Sequence, residues 1–193
     1  MGVMAGEIIV VGTSRGGLKA LEAVLSGLDP DFVVPVVLVQ HRGKDLETGL
    51  CEHLGRNCPV PVSEPEDKEP ILPGHVYLAP RDYHLLIEAT SFALSTDAPV
   101  SFARPSIDVL FESAAHEYKE RAIGVILTGS NQDGAQGLAA IKSHGGLTMV
   151  EDPLTAAHRT MPDAALARSN PDWILPLHEI ASRLNTLGTA IAV

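Results

Sequence analysis

Four continuous runs of apolar and β-branched residues divide the chain, and each has the length and composition of a buried strand. They cover residues 7–12, 34–40, 121–129 and 146–151. Between the first two runs, leucines recur at helical spacing until the pattern ends at Pro30. Strands that are apolar throughout are typical of a parallel sheet with helices on both faces, because neither face then meets water.

The remaining elements alternate in the same way. Helices are predicted over residues 45–55, 104–120, 135–143 and 178–187 and from Met161-Pro162 onwards, and short strands over residues 60–62 and 173–175. This alternation predicts an α/β fold with a doubly wound, mainly parallel, Rossmann-like sheet. Pro61 lacks a backbone N–H, which places the strand at 60–62 near a sheet edge.

The middle of the chain follows a different pattern. Residues 74–80, 83–88 and 91–95 are short segments at tight spacing, separated by Asp, Pro and Thr. The pattern predicts antiparallel β-hairpins inserted into the α/β repeat. No linker or internal repeat divides the 193 residues, so we expect a single domain over 1–193 with its core at about 8–187.

Charge and composition narrow the classes of partner. The chain carries 14 Lys and Arg against 24 Asp and Glu, a formal net charge of −10 without a basic cluster, so nucleic acid is not expected as a partner. No apolar run approaches the ~20 residues of a bilayer span, so membrane insertion is not expected. Without a secretory signal or a disulfide framework, Cys51 and Cys58 favour free thiols and a cytoplasmic location.

Ser14 is the first candidate for chemistry. Residues 12–17 contain G-x-S-x-G between a predicted strand and a predicted helix, the context of a nucleophile elbow. The flanking glycines allow a sharp turn that exposes the Ser14 hydroxyl, and the helix start directs free N–H groups towards a developing oxyanion. The pattern is also typical of a glycine-rich turn with a capping serine, or of a phosphate-binding loop.

Two further residues supply the context that Ser14 needs. Of the eight histidines, His41 alone directly follows a strongly predicted parallel strand, and Asp133 lies in the polar loop after the strand at 121–129. The carboxyl ends of parallel strands meet at one sheet edge, where ligands bind. Ser14, His41 and Asp133 are therefore predicted to form a triad of nucleophile, base and orienting acid. Asp133 also fits a simple turn or a helix N-cap.

These motifs resemble those of the catalytic domain of the chemotaxis protein-glutamate methylesterases, the CheB family. The resemblance runs from about residue 8 to 184 and rests on residues 12–17, 40–41, 72–80, 104–108, 127–129, 133–135 and 161–162. It implies a doubly wound parallel sheet with a hairpin elaboration. It also implies hydrolysis of γ-glutamyl methyl esters on chemoreceptor cytoplasmic helices, with deamidation of glutamines in some members. The family's nucleophile, base and acid fall on Ser14, His41 and Asp133.

The chain departs from the family pattern at three places. Arg15 stands where the family usually has Thr, Ser130-Asn131 where it has Met-Gly, and Thr160 where it has Gly. The first two lie beside the expected oxyanion site, with donors expected among the backbone N–H groups near Arg15 and around Ser130-Asn131. Arg15 either brings a cation that favours an acidic substrate or is a solvated side chain at the helix start.

The resemblance also sets expectations for regulation and partners. Typical members begin with a phosphorylatable receiver domain, whereas this pattern starts by residue 8, which indicates a stand-alone esterase if the sequence is that of the whole protein. The expected partner is a methylated chemoreceptor cytoplasmic domain or a related signalling protein, and no cofactor or metal is expected. Two alternatives stay open: an esterase or amidase for a different substrate, and a non-catalytic binding module of a chemosensory array.

Overall fold

The computed structural model of the protein describes residues 6–41 and 49–189. Within these ranges the strands are β1 (Ile8–Thr13), β2 (Val36–Gln40), β3 (Val62–Ser63), β4 (Val76–Leu78), β5 (His84–Glu88), β6 (Ser91–Ser95), β7 (Ala122–Ile126), β8 (Leu147–Glu151) and β9 (Trp173–Leu175). The helices are α1 (Gly17–Ser26), α2 (Leu50–Gly55), α3 (Ile107–Tyr118), α4 (Ala135–Ser143), α5 (Thr160–Arg168) and α6 (Leu177–Thr189), and a 3₁₀ turn covers Lys119–Arg121.

Seven of these strands form one sheet in the order β3-β4-β2-β1-β7-β8-β9, and every neighbouring pair is parallel. From the central β1 the chain builds one half of the sheet and then crosses back to β7 to build the other. Strands β5 and β6 form a separate antiparallel hairpin, and β5 packs against α3. This arrangement confirms the predicted α/β, doubly wound, mainly parallel sheet with an inserted hairpin.

Helices cover both faces of the sheet, and β1 shows why its sequence is apolar at every position. Ile9 and Val11 pack into the core beneath α1 and α6, whereas Ile8 and Val10 pack into the opposite core beneath α3 and α4. All four side chains are fully buried. Each face therefore gains the hydrophobic burial that holds a helical layer on the sheet.

The structure corrects the prediction for residues 74–80. These residues do not form a hairpin; Val76–Leu78 is β4, a parallel strand of the main sheet between β2 and β3. All three of its side chains are buried, which an exposed hairpin would not provide. The predicted edge position near residue 62 is confirmed by β3. The predicted helix at 45–55 is seen from Leu50 to Gly55, and its first part lies outside the described residues.

None of the helices in the described ranges combines the length and the apolar character that a bilayer crossing requires.

Candidate active site

The three predicted triad residues lie at one edge of the sheet. Ser14 directly follows β1, His41 directly follows β2, and Asp133 lies in the loop between β7 and α4. Ser14 and His41 line a cavity of about 610 Å³, and Asp133 lies behind His41, fully buried. The cavity is therefore at the strand carboxyl ends next to the central β1, where a doubly wound sheet changes direction.

Gln40 ties the turn that carries Ser14 to the strand that carries His41. Its Nε2 donates to the backbone oxygens of Ser14 and His41, at 2.8 Å in each case. A side chain at position 17 would collide with it, because a Cβ on Gly17 would lie 2.2 Å from Gln40 Oε1. Gly16 adopts φ +80°, a left-handed conformation that favours glycine. The glycines after Ser14 thus permit the tight packing of the two loops.

Both ring nitrogens of His41 have partners. Nε2 lies 2.7 Å from Asp133 Oδ2, and Nδ1 lies 3.0 Å from Asn131 Nδ2. An ionised carboxylate can only accept, so the Nε2 proton is donated to Asp133 and Nδ1 carries the lone pair. Ser14 Oγ makes no hydrogen bond to any described residue.

Asp133 sits at the N-terminus of α3 and accepts three hydrogen bonds there. Ser106 Oγ and the backbone N–H of Asp108 donate to Oδ1 at 2.8 and 3.0 Å, and the N–H of Ile107 donates to Oδ2 at 2.7 Å. Burial raises the pKa of Asp133, but the hydrogen bonds from His41, Ile107 and Asp108 outweigh it and hold that pKa below its usual range. The Asp133 side chain opposite His41 is therefore held in its ionised form.

A second carboxyl group, Asp108, lies beside Asp133 and is half-buried. Burial is the main cause that raises its pKa, to about 6, and the charge of Asp133 acts in the same direction. The backbone N–H of Gly137 donates to Asp108 Oδ1 at 2.7 Å and opposes the shift. Because the folded state binds this proton more tightly than the unfolded chain, the Asp108 charge destabilises the fold above pH 6.

We expect Asp108→Asn to raise the free energy of unfolding by about 1 kcal/mol at pH 8, a value discounted for the partial exposure of the group. The amide oxygen can still accept from Gly137 N–H. The gain should shrink as the pH falls from about 6 towards about 4, because wild-type Asp108 becomes neutral in that window. Urea unfolding at pH 8 and pH 4.5 measures both values. The control is Asp31→Asn, an exposed substitution that changes the net charge by the same amount. If it raised the free energy of unfolding equally, the effect would be due to net charge and not to the site of Asp108.

Thr128, in the loop after β7, joins the loops after β1, β7 and β8. Its backbone oxygen accepts from the N–H of Ser14 at 3.0 Å and from Thr13 Oγ1 at 2.7 Å. Its own hydroxyl donates to the backbone oxygen of Arg15 at 3.1 Å, and its N–H donates to Glu151 Oε2 at 2.8 Å. These contacts fix the turn of Ser14 against the strand that leads to Asp133.

One wall of the cavity comes from the loop between β6 and α3. Buried His84 anchors this loop, because its Nε2 lies 3.1 Å from the oxygen of Ala98 and its Nδ1 accepts from the N–H of Ser106 at 3.2 Å. Phe102 is at the tip of the loop, in a two-residue turn whose residues Ser101 and Phe102 have φ of 50° and 63°. The phenyl ring is fully exposed at the cavity rim.

Of the three predicted oxyanion and substrate residues, one lines the cavity and two do not. Asn131 lines the cavity, whereas the side chains of Arg15 and Ser130 are exposed and are not part of its lining. Among the described residues, the arginines that line it are Arg81 and Arg104. Sequence reasoning gave no role to these two, although Arg104 belongs to a motif that it singled out.

In the described ranges, no group of three or more His, Cys, Asp or Glu side chains is placed to hold a metal ion together.

The sequence profile of the CheB methylesterase domain matches residues 9–184. The chain belongs to the CheB methylesterase family. A Leptospira interrogans protein that carries the provisional name protein-glutamate methylesterase/protein-glutamine glutaminase is 47% identical over 176 residues, which are 91% of each chain. An Anaeromyxobacter dehalogenans protein-glutamate methylesterase/protein-glutamine glutaminase is 41% identical over 94% of this chain but only 53% of its own length.

A solved structure supports the same assignment. The crystal structure of the Thermotoga maritima CheB methylesterase catalytic domain matches this CheB-family chain with a TM-score of 0.90 and 34% sequence identity. The match covers 95% of this chain and the whole of that one. The sheet and its helical layers are therefore those of a CheB catalytic domain.

Proposed function

We propose that this chain hydrolyses the methyl esters of glutamate side chains on a protein, with a methylated chemoreceptor cytoplasmic domain as the expected substrate. The observation that carries the proposal is the His41–Asp133 pair at 2.7 Å, which faces the same cavity as Ser14 in a family of methylesterases. Relatives named protein-glutamate methylesterase/protein-glutamine glutaminase support the substrate class.

In the proposed reaction Ser14 Oγ attacks the ester carbonyl carbon and transfers its proton to His41. The accepting nitrogen is Nδ1, because the proton on Nε2 is already donated to Asp133. The imidazolium that forms is stabilised by the Asp133 carboxylate, which keeps its negative charge because of the donors at the start of α3.

The tetrahedral intermediate then collapses. The C–O bond to the methoxy group breaks, and methanol leaves with the proton from Nδ1. Water attacks the resulting Ser14 acyl-enzyme with His41 again as the base, which releases the glutamate carboxylate and restores the serine. With a glutamine substrate the same steps release ammonia in place of methanol.

The oxyanion needs hydrogen-bond donors that are not already used. The N–H groups of Ser14 and Gly129 donate to Thr128 and His158 oxygens, so they are not available. The N–H groups of Arg15, Ser130 and Asn131 donate to no described residue. We assign the oxyanion site to this set, in which each effective donor is expected to lower the barrier by roughly 3 kcal/mol.

Phe102 supports a protein-borne substrate, because a fully exposed aromatic ring at the cavity rim offers apolar contact to a large partner. We expect Phe102→Ala to raise KM for a methylated receptor fragment by about three- to tenfold, an effect below that of burying a whole phenyl ring. kcat/KM for a small methyl ester should change less than about twofold, because Phe102 is not among the reacting groups.

The matched control for Phe102 is Val33→Ala. Val33 is also an exposed apolar side chain, but it precedes β2 and lies at the opposite edge of the sheet. Steady-state kinetics on both substrates measure the effect. Equal KM values for wild type and Phe102→Ala would remove Phe102 from the docking surface, and a parallel loss with the small ester would show damage to the site itself.

Methanol and ammonia release separate the proposed function from its alternatives. A methylated receptor fragment should release methanol, and the same fragment with glutamine at the methylation sites tests for deamidation. Cleavage of small esters without either product would favour an esterase for a different substrate. Binding of the fragment without turnover of any ester or amide would favour a non-catalytic module.

A further inference from the structure

The side chain of Asn131 bridges the base and the main chain of the acid. Its Nδ2 lies 3.0 Å from His41 Nδ1, and its Oδ1 accepts from the backbone N–H of Asp133 at 3.3 Å. The second contact fixes which end of the amide faces the ring, because a backbone N–H can only donate. Asn131 therefore donates a hydrogen bond to the lone pair of Nδ1.

That lone pair is the one that the proposed reaction uses. Nε2 is committed to Asp133, so the Ser14 proton can be accepted only at Nδ1. After the transfer, Nδ1–H and the Asn131 N–H would be two donors facing each other at 3.0 Å. Proton transfer from Ser14 thus requires the Asn131 amide to leave Nδ1.

We propose that Asn131 is a positioning residue that holds His41 Nδ1 in the free protein and yields it to Ser14 when a substrate enters the cavity. The proposal rests on the proposed function, because it takes Ser14 as the nucleophile and His41 as its base. Asn131 lines the cavity beside Ser14, so an entering ester reaches the amide as well as the hydroxyl. Position 131 is also one of the places where this chain departs from the CheB pattern described above, which usually has glycine there.

We expect the ring of His41 to keep its orientation without Asn131, because Asp133 holds the ring and two further contacts hold its main chain. The fully buried Asp133 holds Nε2, the His41 N–H donates to the oxygen of Thr13 at 3.0 Å, and Gln40 donates to the His41 oxygen. Loss of the Asn131 amide should therefore free Nδ1 for Ser14 rather than misplace the base. The expected effect is a faster reaction of Ser14 in the absence of substrate.

The test compares Asn131→Ala and Asn131→Gly with wild type, and Gln132→Ala, an exposed change in the same loop, serves as the control. The first measurement is the rate at which a small alkyl fluorophosphonate labels Ser14, located by mass spectrometry. The second is the ¹⁵N chemical shift of His41 Nδ1, recorded with Ser14→Ala in every protein so that the serine hydroxyl cannot replace the amide donor; this shift reports hydrogen bonding to the lone pair, which a merely structural change of the loop would not move.

We expect Ser14 labelling to be about three- to tenfold faster in both Asn131 variants, the range that one net hydrogen bond corresponds to. Gln132→Ala should label within about twofold of wild type. The Nδ1 resonance should move downfield in the Asn131 variants alone. If wild type labels but the Asn131 variants label equally fast or more slowly, the role of Asn131 is overturned and the proposed function stands. If no protein labels at Ser14, the proposed function fails and the role of Asn131 fails with it.

Discussion

Asp133→Asn is expected to lower kcat/KM for ester hydrolysis by roughly 10⁴-fold and to lower the free energy of unfolding by about 2–4 kcal/mol at pH 7. Both effects have one cause. The carboxylate accepts from His41, Ser106 and two backbone N–H groups at the start of α3, whereas an asparagine offers one oxygen and one NH₂ group. The NH₂ group would face a donor, so either the imidazole tautomer or the helix start loses its partner.

The difference in unfolding free energy between wild type and Asp133→Asn depends on pH because the pKa of Asp133 is lowered in the folded protein. Its contribution to stability is present above the ordinary carboxyl pKa of about 4 and is lost as the pH falls through the lower folded value. The stability gap between wild type and Asp133→Asn should therefore close in acid, as measured by urea unfolding from pH 7 to pH 3. Asp31→Asn, on the surface, should show no such gap. A gap that widens in acid, or full activity of Asp133→Asn, would contradict the role of the buried carboxylate.

His41→Gln is expected to lower kcat by roughly 10⁴-fold or more, with a change in unfolding free energy of only about 1 kcal/mol. A glutamine amide can still donate to Asp133, so the buried carboxylate keeps a partner, but it cannot accept a proton from Ser14 at neutral pH. Steady-state turnover of a small methyl ester measures the loss. His144→Gln, a change at the exposed residue that directly follows α4, is the control. Retained turnover in His41→Gln would mean that another group acts as the base.

Much of the site was predictable because two of its three residues directly follow strands with a strong sequence signal. Ser14 and His41 come immediately after continuous apolar runs, and parallel pairing brings such ends together without any knowledge of the loops. Asp133 lies further into its loop, yet the loop starts at the same edge. The continuous apolar runs of the strands therefore carried the prediction of where the three residues meet, while their roles stay a proposal.

The prediction failed where the apolar signal is short. Val76–Leu78 has three buried residues, and a run of that length is compatible with a hairpin or with a central parallel strand. Its parallel pairing with β2 decides the matter, and β2 is distant in sequence, since Val36 pairs with Val76. The tight spacing to β5 and β6 favoured the hairpin interpretation for a segment that belongs to the sheet.

Side-chain partners within the site were also beyond the sequence. Asn131 was expected near the oxyanion, but its amide contacts His41, which depends on the conformation of a loop without periodicity. Phe102 carried no motif signal and is exposed at the rim. Ser106 had one usable signal: a serine at the start of a predicted helix is typical of an N-cap, and its hydroxyl accepts from Val109 N–H while donating to Asp133.

The central claim, that Ser14 is the nucleophile of a protein-glutamate methylesterase, is tested most directly by methanol release from a methylated chemoreceptor fragment with wild type and Ser14→Ala side by side. Ser14 is not part of the hydrophobic core, and its Oγ makes no hydrogen bond to any described residue. The free energy of unfolding of Ser14→Ala should therefore lie within about 0.5 kcal/mol of the wild-type value. We predict release by wild type and a loss of roughly 10⁴-fold or more in the folded variant. Equal release by both proteins, or none by wild type, would contradict the account.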